Sequence, residues 1–365
     1  MATIYDIARV AKTSPATVSR ALSGTGSVRE ETRKKIKKIA REMNYSPNHL
    51  ARSLVKKKTD TIALIISDIT NPFFTAMARG VEDSAAKKGF NTILCNTDEN
   101  EDKEKTYVDL MLERRVDGIL VASCSEGKTL VELKKRDVPV VLVDRKISGT
   151  RWDWVVGDSE EGGYLLTRHL ITVHDSRAIA MITGPQAIST SRERMDGYQR
   201  ALVEFDIAPR PEWMTAGAYK EDFGHRIAVE YLRNYSAVPH AIFAGNNFIA
   251  MGIVKAAQEI GYRIPEDLLL VTFDDFEIAS FMHPFLTVCK QPAYTMGSIA
   301  TEFLLQRVGG EKIREQRKAV LKPEIIIRRS CGCGASPETA GFGRIGAMSG
   351  KEPITEERRG EEERA

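Results

Sequence analysis

The sequence lacks the segments that would tie it to a membrane or direct it out of the cell. No apolar run approaches the roughly 20 residues that a membrane-spanning helix requires. The N-terminus begins with a polar segment of helical periodicity and shows no signal-peptide pattern. We therefore expect a cytoplasmic protein without a membrane partner. Its 365 residues are enough for two or three domains.

The chain also lacks a recognisable framework for disulfides, metal binding or catalysis. Cys95, Cys124 and Cys289 lie in or beside apolar runs, which is typical of reduced core residues. Cys331 and Cys333 are separated by one residue rather than the roughly two to four of common zinc ligand pairs, and we expect no partner His or Cys cluster for them. The six histidines are scattered and none stands in a metal-binding or nucleophile motif. We expect no metal, no cofactor and no enzymatic activity, including activity on sugars.

Positive charge is concentrated at the N-terminal end of the chain. Residues 1–58 contain 14 Lys and Arg against 4 Asp and Glu, a net charge of +10, so the remaining residues carry −7 of the overall +3. A basic module attached to a mildly acidic body is typical of a protein that binds nucleic acid. A solvated charged surface is the alternative, but it would not divide the charges by domain.

Residues 3–22 predict two short helices joined by a tight turn. Thr3 and Asp6 have the spacing of a capping box, and Ser14 followed by Pro15 favours the start of a second helix. The exposed side of the second helix combines small side chains with Arg20, which suits docking in the DNA major groove. An ordinary helical hairpin is the alternative interpretation.

Two further basic segments follow. Residues 27–45 predict a third helix, with Ser27 and Glu30 at capping-box spacing and with lysines that would contact phosphates. Residues 46–59 indicate either a plain basic linker or, over residues 48–55, a short helix. A helix this short is marginal in water, so it would need a second subunit and DNA in order to fold.

Residues 60–330 alternate between apolar strand-like runs and amphipathic helical segments, which predicts buried parallel sheets in two lobes. The predicted strands cover residues 61–67, 91–96, 118–122, 140–143, 178–183, 241–244 and 268–272. The predicted helices between them include residues 74–88, 102–115, 191–205 and 248–260. Residues 331–365 are rich in Gly, Glu and Arg, and they predict a disordered tail.

Polar and aromatic side chains follow several of the predicted strands. Residues 68–74 follow the first strand, Asp144 and Arg145 follow the fourth, and Asp274 follows the last. In parallel sheets such positions meet at one edge, where ligands bind. Each residue alone has a structural explanation, such as a helix cap or a core aromatic. Together they offer apolar faces and planar polar groups, which suit a sugar.

The N-terminal motifs resemble those of the LacI/GalR family of bacterial transcription regulators. The similarity is carried by Asp6-Ile7-Ala8, by Ser14-Pro15-Ala16-Thr17-Val18-Ser19-Arg20-Ala21-Leu22, by Asn44-Tyr45-Ser46-Pro47-Asn48 and by Ala51-Arg52-Ser53-Leu54, and it continues to about residue 330. It implies an α/β protein with an N-terminal helix-turn-helix headpiece at residues 1–45, a hinge helix at 46–59 and a two-lobed periplasmic-binding-protein-like core of parallel sheets at 60–330. Lobe 1 would comprise about residues 60–158 and 290–320, and lobe 2 about residues 159–289 and 321–330.

The same resemblance implies which residues bind DNA and which bind an effector. The headpiece residues that would contact DNA are Thr3, Pro15, Ala16, Thr17, Ser19, Arg20 and Arg33. The hinge residues are Asn48, His49, Ala51, Arg52 and Leu54, with Leu54 wedged into the minor groove. The effector residues, carried over from ribose-type periplasmic proteins and sugar-responsive repressors, are Asn71, Phe73, Phe74, Asp144, Arg145, Arg194, Tyr219, Asn246, Asp274 and Gln291. The implied partners are a pseudo-palindromic double-stranded DNA operator, a small sugar or sugar-acid effector, and a second copy of the chain in a homodimer.

We therefore expect a repressor of sugar-catabolism genes whose operator affinity is controlled by a small sugar-like effector in the cleft between the lobes. A neutral aldose or polyol fits the balanced charges of the two acids and two arginines in the predicted set, whereas an inward-facing Lys220 would favour a sugar acid. Purines are less expected because they call for flatter, more apolar walls. The alternatives are a sugar-binding transport protein and a catabolite regulator controlled by a phosphorylated carrier protein. The sequence is compatible with induction and with corepression.

Overall fold

The computed structural model describes residues 2–23, 26–45, 58–233, 238–275, 285–311, 313 and 315–334. These residues form an N-terminal unit of three helices and two six-stranded sheets that carry helices on both faces. None of the helices in these ranges combines the length and the apolar character needed to cross a bilayer.

The N-terminal unit consists of α1 (Ile4–Ala11), α2 (Pro15–Ser23) and α3 (Glu30–Glu42). The predicted capping box is present at α1, where Thr3 N donates to Asp6 Oδ2 at 3.0 Å and Asp6 N donates to the Thr3 hydroxyl at 3.3 Å. The Ser14 hydroxyl caps α2 by accepting from Thr17 N at 3.2 Å. The three helices share a small apolar core made of Ile7, Ala8, Ala11, Val18, Ala21, Ile36, Ile39 and Ala40.

The start of α3 differs from the prediction. The helix begins at Glu30, its N-cap residue is Arg29, and no side chain caps it. Ser27 lies outside the helix, so its spacing with Glu30 does not make a capping box. Glu30 and Glu31 occupy the first turn instead, where their negative charges interact favourably with the helix dipole.

The first sheet has the strand order β11-β5-β4-β3-β1-β2, and all its strand pairs are parallel. Its strands are β1 (Thr61–Ile66), β2 (Asn91–Asn96), β3 (Gly118–Val121), β4 (Val140–Val143), β5 (Asp153–Gly157) and β11 (Lys318–Leu321). Successive side chains of a strand point to opposite faces, so each strand contributes to two apolar layers. Ile62, Leu64 and Ile66 pack with α4 (Pro72–Lys87) and α11 (Ala293–Val308). Ala63 and Ile65 pack with α5 (Glu101–Glu113) and α6 (Val131–Lys135) on the other face.

The second sheet has the strand order β12-β10-β9-β8-β6-β7. Its strands are β6 (Ile179–Thr183), β7 (Met214–Ala216), β8 (Ala241–Ala244), β9 (Leu269–Phe273), β10 (Thr287–Lys290) and β12 (Glu324–Ile326). The pairs are parallel except that β12 runs antiparallel to β10, so the expectation of purely parallel pairing does not hold at this edge. The covering helices are α7 (Ser159–His174), α8 (Ser189–Glu204), α9 (Glu221–Arg233) and α10 (Asn247–Ile260).

The chain passes between the two sheets three times, from β5 to β6, from β10 into α11 on the first sheet, and from β11 to β12. This path places the carboxyl ends of strands from both sheets opposite each other. The contacts between the facing edges include a bond from Asn247 Nδ2 to Asn71 Oδ1 at 3.1 Å and one from Lys220 Nζ to Asp68 Oδ2 at 2.6 Å. The space between these edges is the cleft in which the predicted effector residues meet.

The C-terminal end of the described chain is packed rather than loose. A short 3-10 turn at Arg329–Cys331 follows β12, and the Cys331 side chain is fully buried. Ser330 anchors the turn, because its hydroxyl donates to the Leu270 carbonyl at 2.6 Å and accepts from Thr287 N at 2.8 Å. The predicted disordered tail therefore does not begin at residue 331. Residues 335–365 lie outside the described part of the chain.

Candidate ligand-binding cleft and DNA interface

The candidate cleft lies between the carboxyl ends of the two sheets and encloses about 400 Å³, its open mouth included. Every predicted effector residue except Gln291 lines it, namely Asn71, Phe73, Phe74, Asp144, Arg145, Arg194, Tyr219, Asn246 and Asp274. Gln291 stands behind one wall, where its Nε2 donates to Asp274 Oδ1 at 2.9 Å. The topology thus brings together side chains that are up to about two hundred residues apart in the sequence.

The two predicted asparagines also cap helices. The Asn71 side chain accepts from Phe73 N at 3.0 Å at the start of α4, and the Asn246 side chain accepts from Ile249 N at 2.9 Å at the start of α10. The Asn71 amide additionally pairs with the buried Asn247 amide of the other lobe. Asn71 therefore combines a structural role with a position at the point where the lobes touch.

Two buried carboxylates, Asp144 and Asp274, follow β4 and β9 directly. Both have left-handed backbone, with φ of 64° and 62°, a conformation that Asp tolerates better than most residues. Burial raises the pKa of Asp144 to about 6, against the attraction of Arg145 and Arg194. Burial also raises the pKa of Asp274, while Arg194 and the hydrogen bond from Gln291 act in the opposite direction. Ionisation of either buried carboxyl group is therefore unfavourable as long as no ligand donates a hydrogen bond to it.

Two buried guanidinium groups face these acids. Arg145 makes a bidentate pair with Glu99, at 2.8 Å and 2.5 Å, and also donates to the Ser123 carbonyl at 3.1 Å. Arg194 donates to the Gly245 carbonyl at 2.5 Å and lies 3.9 Å from Asp274 Oδ2. Its guanidinium carbon is 4.0 Å from the centre of the Phe273 ring, so a cation–π contact fixes its orientation.

The cleft is also lined by Asp68, Glu99, Thr190 and Phe248, which sequence reasoning did not include in the effector set. A signal for two of them was present, because Asp68 and Glu99 follow β1 and β2 and obey the same strand-end rule as Asp144. Glu99 matters most, since its bidentate pair with Arg145 decides where that guanidinium points. Thr190 and Phe248 lie in the first turns of α8 and α10, beside predicted residues.

Several polar atoms of the cleft residues are buried without a hydrogen-bond partner among the described residues. They include Asp144 Oδ1 and the Nε atoms of Arg145 and Arg194. The nearest carboxylate oxygen to Arg145 Nε is Asp144 Oδ2, at 3.5 Å, which is an ion-pair distance rather than a hydrogen bond. Buried groups of this kind usually have partners, so the cleft offers one acceptor and two donors to a polar ligand.

The headpiece residues predicted to contact DNA occupy different environments. Ala16, Ser19 and Arg20 are exposed on α2, while Pro15, Thr17 and Arg33 are half-buried. Thr3 is exposed, and its hydroxyl donates to Asp6 at 2.7 Å. The predicted hinge residues Asn48, His49, Ala51, Arg52 and Leu54 lie outside the described residues. Lys34, Lys35, Lys37 and Lys38 are exposed along α3, so the headpiece carries a cationic surface.

One expectation from the sequence is wrong. Cys331 and Cys333 do have partner histidines, because α7 brings His169 and His174 against them. The sequence hid this cluster, since the two pairs stand more than 150 residues apart. The cluster lies in the second lobe and contributes no residue to the cleft lining.

Comparisons with known proteins agree with this architecture. Residues 3–48 match the family described as bacterial regulatory proteins, lacI family, and residues 59–328 match the family described as periplasmic binding proteins and sugar binding domain of LacI family. The HTH-type transcriptional repressor PurR of Aliivibrio salmonicida is 35% identical over 333 residues, which cover 90% of this chain and 99% of that protein.

Solved structures are similar over the same span. The lac repressor dimer bound to operator and the anti-inducer ONPF has a TM-score of 0.79 at 25% identity, covering 90% of this chain and 99% of that one. A complex of the transcriptional regulator CelR with cellobiose has a TM-score of 0.69 at 28% identity, covering 90% of this chain and all of that one. The expected fold class, a helix-turn-helix headpiece on a two-lobed α/β core, is confirmed.

Proposed function

This chain belongs to the LacI family of bacterial regulatory proteins, and from that premise we propose that a small, polyhydroxylated, sugar-like effector in the cleft controls its affinity for operator DNA. The protein is a DNA-binding transcriptional repressor with a ligand-binding domain, and it is not an enzyme. The proposal further holds that it acts in the cytoplasm as a homodimer on a pseudo-palindromic site, and that its targets are genes of sugar catabolism.

The observation that carries the sugar proposal is the polar lining of the cleft. Each sugar hydroxyl can donate to a carboxylate and accept from a guanidinium at the same time. Asp144 and Asp274 supply the acceptors, and Arg145 and Arg194 supply the donors, all four buried. Asp144 Oδ1 and Arg194 Nε have no partner within the described part of the protein, so a hydroxyl group would satisfy both kinds of atom.

The charges favour a neutral sugar over a sugar acid. Lys220, the residue that could have added positive charge, pairs with Asp68 at 2.6 Å at the mouth of the cleft. Arg145 is likewise neutralised by Glu99. Arg194 then faces two carboxyl groups, Asp144 and Asp274, so an additional carboxylate on the ligand would meet negative charge.

A purine-related effector is the second candidate, favoured by relatives that carry the name PurR. A flat base would need a parallel aromatic slot or a single broad ring face. Phe73 and Phe74 instead meet edge to face, with ring centroids 5.1 Å apart and planes at 71°. The similar CelR structure is a complex with cellobiose, which supports a saccharide. We therefore rank the sugar first and keep the purine as an outcome of the test.

The test is titration calorimetry of the full-length protein with ribose, cellobiose, gluconate and adenine. Each compound that binds is then added to a gel-shift assay on a site selected from random-sequence DNA. We expect a neutral sugar to bind and to change operator affinity, by a coupling of about 1–3 kcal/mol. If adenine is the only compound that binds, the effector is a purine rather than a sugar, and the cleft remains the proposed binding site. If operator affinity changed only when a phosphorylated carrier protein was added, the cleft would not be the site of control.

A matched pair of variants locates the site. Asp274→Asn removes a buried charge that would accept from hydroxyls, and we expect it to weaken sugar binding by about 1.5–3 kcal/mol. Asp267→Asn breaks an ion pair with Arg263, whose side chain is 71% exposed and which lies outside the cleft lining, and it should leave sugar affinity unchanged. Equal effects of the two changes would contradict the assignment of Asp274 as a ligand acceptor. Both variants should still bind operator.

A further inference from the structure

Two histidines and two cysteines from distant parts of the chain converge at one place in the second lobe. His169 and His174 lie in the last two turns of α7, and Cys331 and Cys333 lie at the end of the 3-10 turn that follows β12. Their four potential ligand atoms all lie within 4.8 Å of one another. Cys331 is fully buried and the other three are half-buried, so the cluster is enclosed but has a path to solvent.

The spacing of the four side chains matches a tetrahedral ion. Zinc binds sulfur at about 2.3 Å and histidine nitrogen at about 2.0–2.1 Å, which places the corners of a tetrahedron about 3.3–3.8 Å apart. His169 Nε2 lies 3.3 Å from Cys331 Sγ and 3.7 Å from Cys333 Sγ, and His174 Nε2 lies 3.3 Å from Cys333 Sγ. The two imidazole planes are inclined at 74° to each other, so both rings can aim at one centre.

The residue between the two cysteines explains why their short spacing is no obstacle. Gly332 has φ of +94°, a conformation that residues with a side chain rarely adopt. A Cβ atom at this position would lie 3.3 Å from His174 Cε1 and Nδ1. The glycine therefore turns the chain back so that both thiols reach the same side, and it leaves room for the His174 ring. A conventional spacing of the cysteines is not needed when the turn is this tight.

Contacts outside the cluster hold the first thiol in place. The Ser330 hydroxyl donates to the Leu270 carbonyl and accepts from Thr287 N, and these bonds anchor the turn that carries Cys331. The Thr287 hydroxyl lies 3.0 Å from Cys331 Sγ, where it can donate to a thiolate. Hydrogen bonds of this kind to a ligand sulfur are usual around protein-bound metals.

We propose that His169, His174, Cys331 and Cys333 form a structural Zn²⁺ site that fastens the C-terminal end of the second lobe to α7. Two thiolates and two neutral imidazoles are a donor set that zinc favours, and four protein ligands leave no position open for a substrate. On binding, the ion replaces the two thiol protons, which pass to water, and no electron is transferred. The cross-link joins residues more than 150 positions apart, so it closes a long loop of the chain.

The first experiment measures metal in the full-length protein. The protein is purified under reducing conditions, stripped with a chelator, reconstituted with ZnSO₄ and analysed for bound zinc. We expect one zinc ion per chain. Replacement by Co²⁺ should give the intense visible bands of a tetrahedral ion together with thiolate-to-cobalt charge-transfer bands. An octahedral cobalt spectrum, or no zinc retained, would overturn the proposal.

Matched variants test the ligand assignment. Cys333→Ser changes the half-buried thiol and should weaken zinc binding by more than the roughly 10–100-fold that follows loss of an outer-shell partner. Cys95→Ser changes a buried cysteine outside the cluster and should leave the stoichiometry and the cobalt spectrum unchanged. Chelation should lower the melting temperature of the wild type and of Cys95→Ser, but not that of Cys333→Ser. Equal zinc affinity of the two variants would refute the assignment.

A measurement on the wild type alone does not depend on the folding of any variant. Cys95, Cys124, Cys289 and Cys331 are buried, so the half-buried Cys333 is the thiol that zinc should protect from a thiol-modifying reagent. Peptide mapping with and without zinc should show protection at Cys333. A Cys331–Cys333 disulfide in the reduced preparation, or modification that zinc does not change, would contradict the proposal.

Discussion

Asp144→Asn should make the ligand-free protein more stable, although it removes a predicted binding group. Burial raises the pKa of Asp144 to about 6, compared with about 3.9 for an exposed Asp. A carboxyl group whose folded pKa is raised contributes stability that is present below pH 4 and is lost as the pH rises through 6. Asn has the same shape, tolerates the left-handed backbone at φ 64° and carries no charge.

The size of this effect follows from the shift. A shift of two pKa units corresponds to about 1.4 kcal/mol for each unit. The free energy of unfolding of Asp144→Asn should therefore exceed that of the wild type by about 3 kcal/mol at pH 8 and by about half of that at pH 5. The measurement is urea unfolding of both proteins at the two pH values, followed by tryptophan fluorescence. The same variant should bind a neutral sugar less tightly. Destabilisation by Asn at pH 8, or a difference that does not change with pH, would refute the reasoning.

Asp153→Asn is the matched control because the same substitution should act in the opposite direction. Although burial alone would raise the pKa of Asp153, hydrogen bonds from Arg307 and Arg317 lower it. The Asp153 side chain is fully buried, and its oxygens lie 2.6 Å from nitrogens of both arginines. Removing its charge should destabilise the protein by about 3 kcal/mol at pH 7 and by less as the pH falls.

Four other substitutions test the DNA interface and the cleft. Arg20→Ala should reduce the free energy of operator binding by about 1–3 kcal/mol and relax discrimination between DNA sequences. Lys34→Ala should instead weaken binding to all sequences alike in salt-dependent gel shifts. A uniform loss of affinity for Arg20→Ala would contradict its placement at base edges. Leu54→Ala should reduce operator affinity and DNA bending and leave effector affinity unchanged. An unaltered DNA bend would indicate that residues 46–59 are a plain linker. Glu99→Gln leaves the buried Arg145 charge without its bidentate partner. It should therefore destabilise the protein by about 3 kcal/mol in urea unfolding and weaken sugar binding in calorimetry. Wild-type values in both assays would contradict the role assigned to Glu99.

Local patterns in the sequence were sufficient for most of the fold. The predicted strands and helices of the core agree with the structure to within two residues at their ends. Long apolar runs and capping residues such as Asn71 determine these elements through interactions between neighbours in the chain. The seven predicted strand ranges contain no counterpart of β5, β7, β10, β11 and β12, because short strands at a crossover or an edge of a sheet have weak apolar periodicity.

The sequence by itself also determined the charge of the headpiece and most of the cleft lining, since residues at strand ends meet wherever the strands are parallel. Only the tertiary structure decided how those groups are used. It pairs Glu99 with Arg145 and Lys220 with Asp68, and so it selects which charges remain for a ligand. It also places Cys333 against His174. The Glu99–Arg145 and Cys333–His174 contacts depend on how each lobe packs, and the Lys220–Asp68 contact depends on how the two lobes approach each other. No local period in the sequence encodes contacts between residues so far apart in the chain.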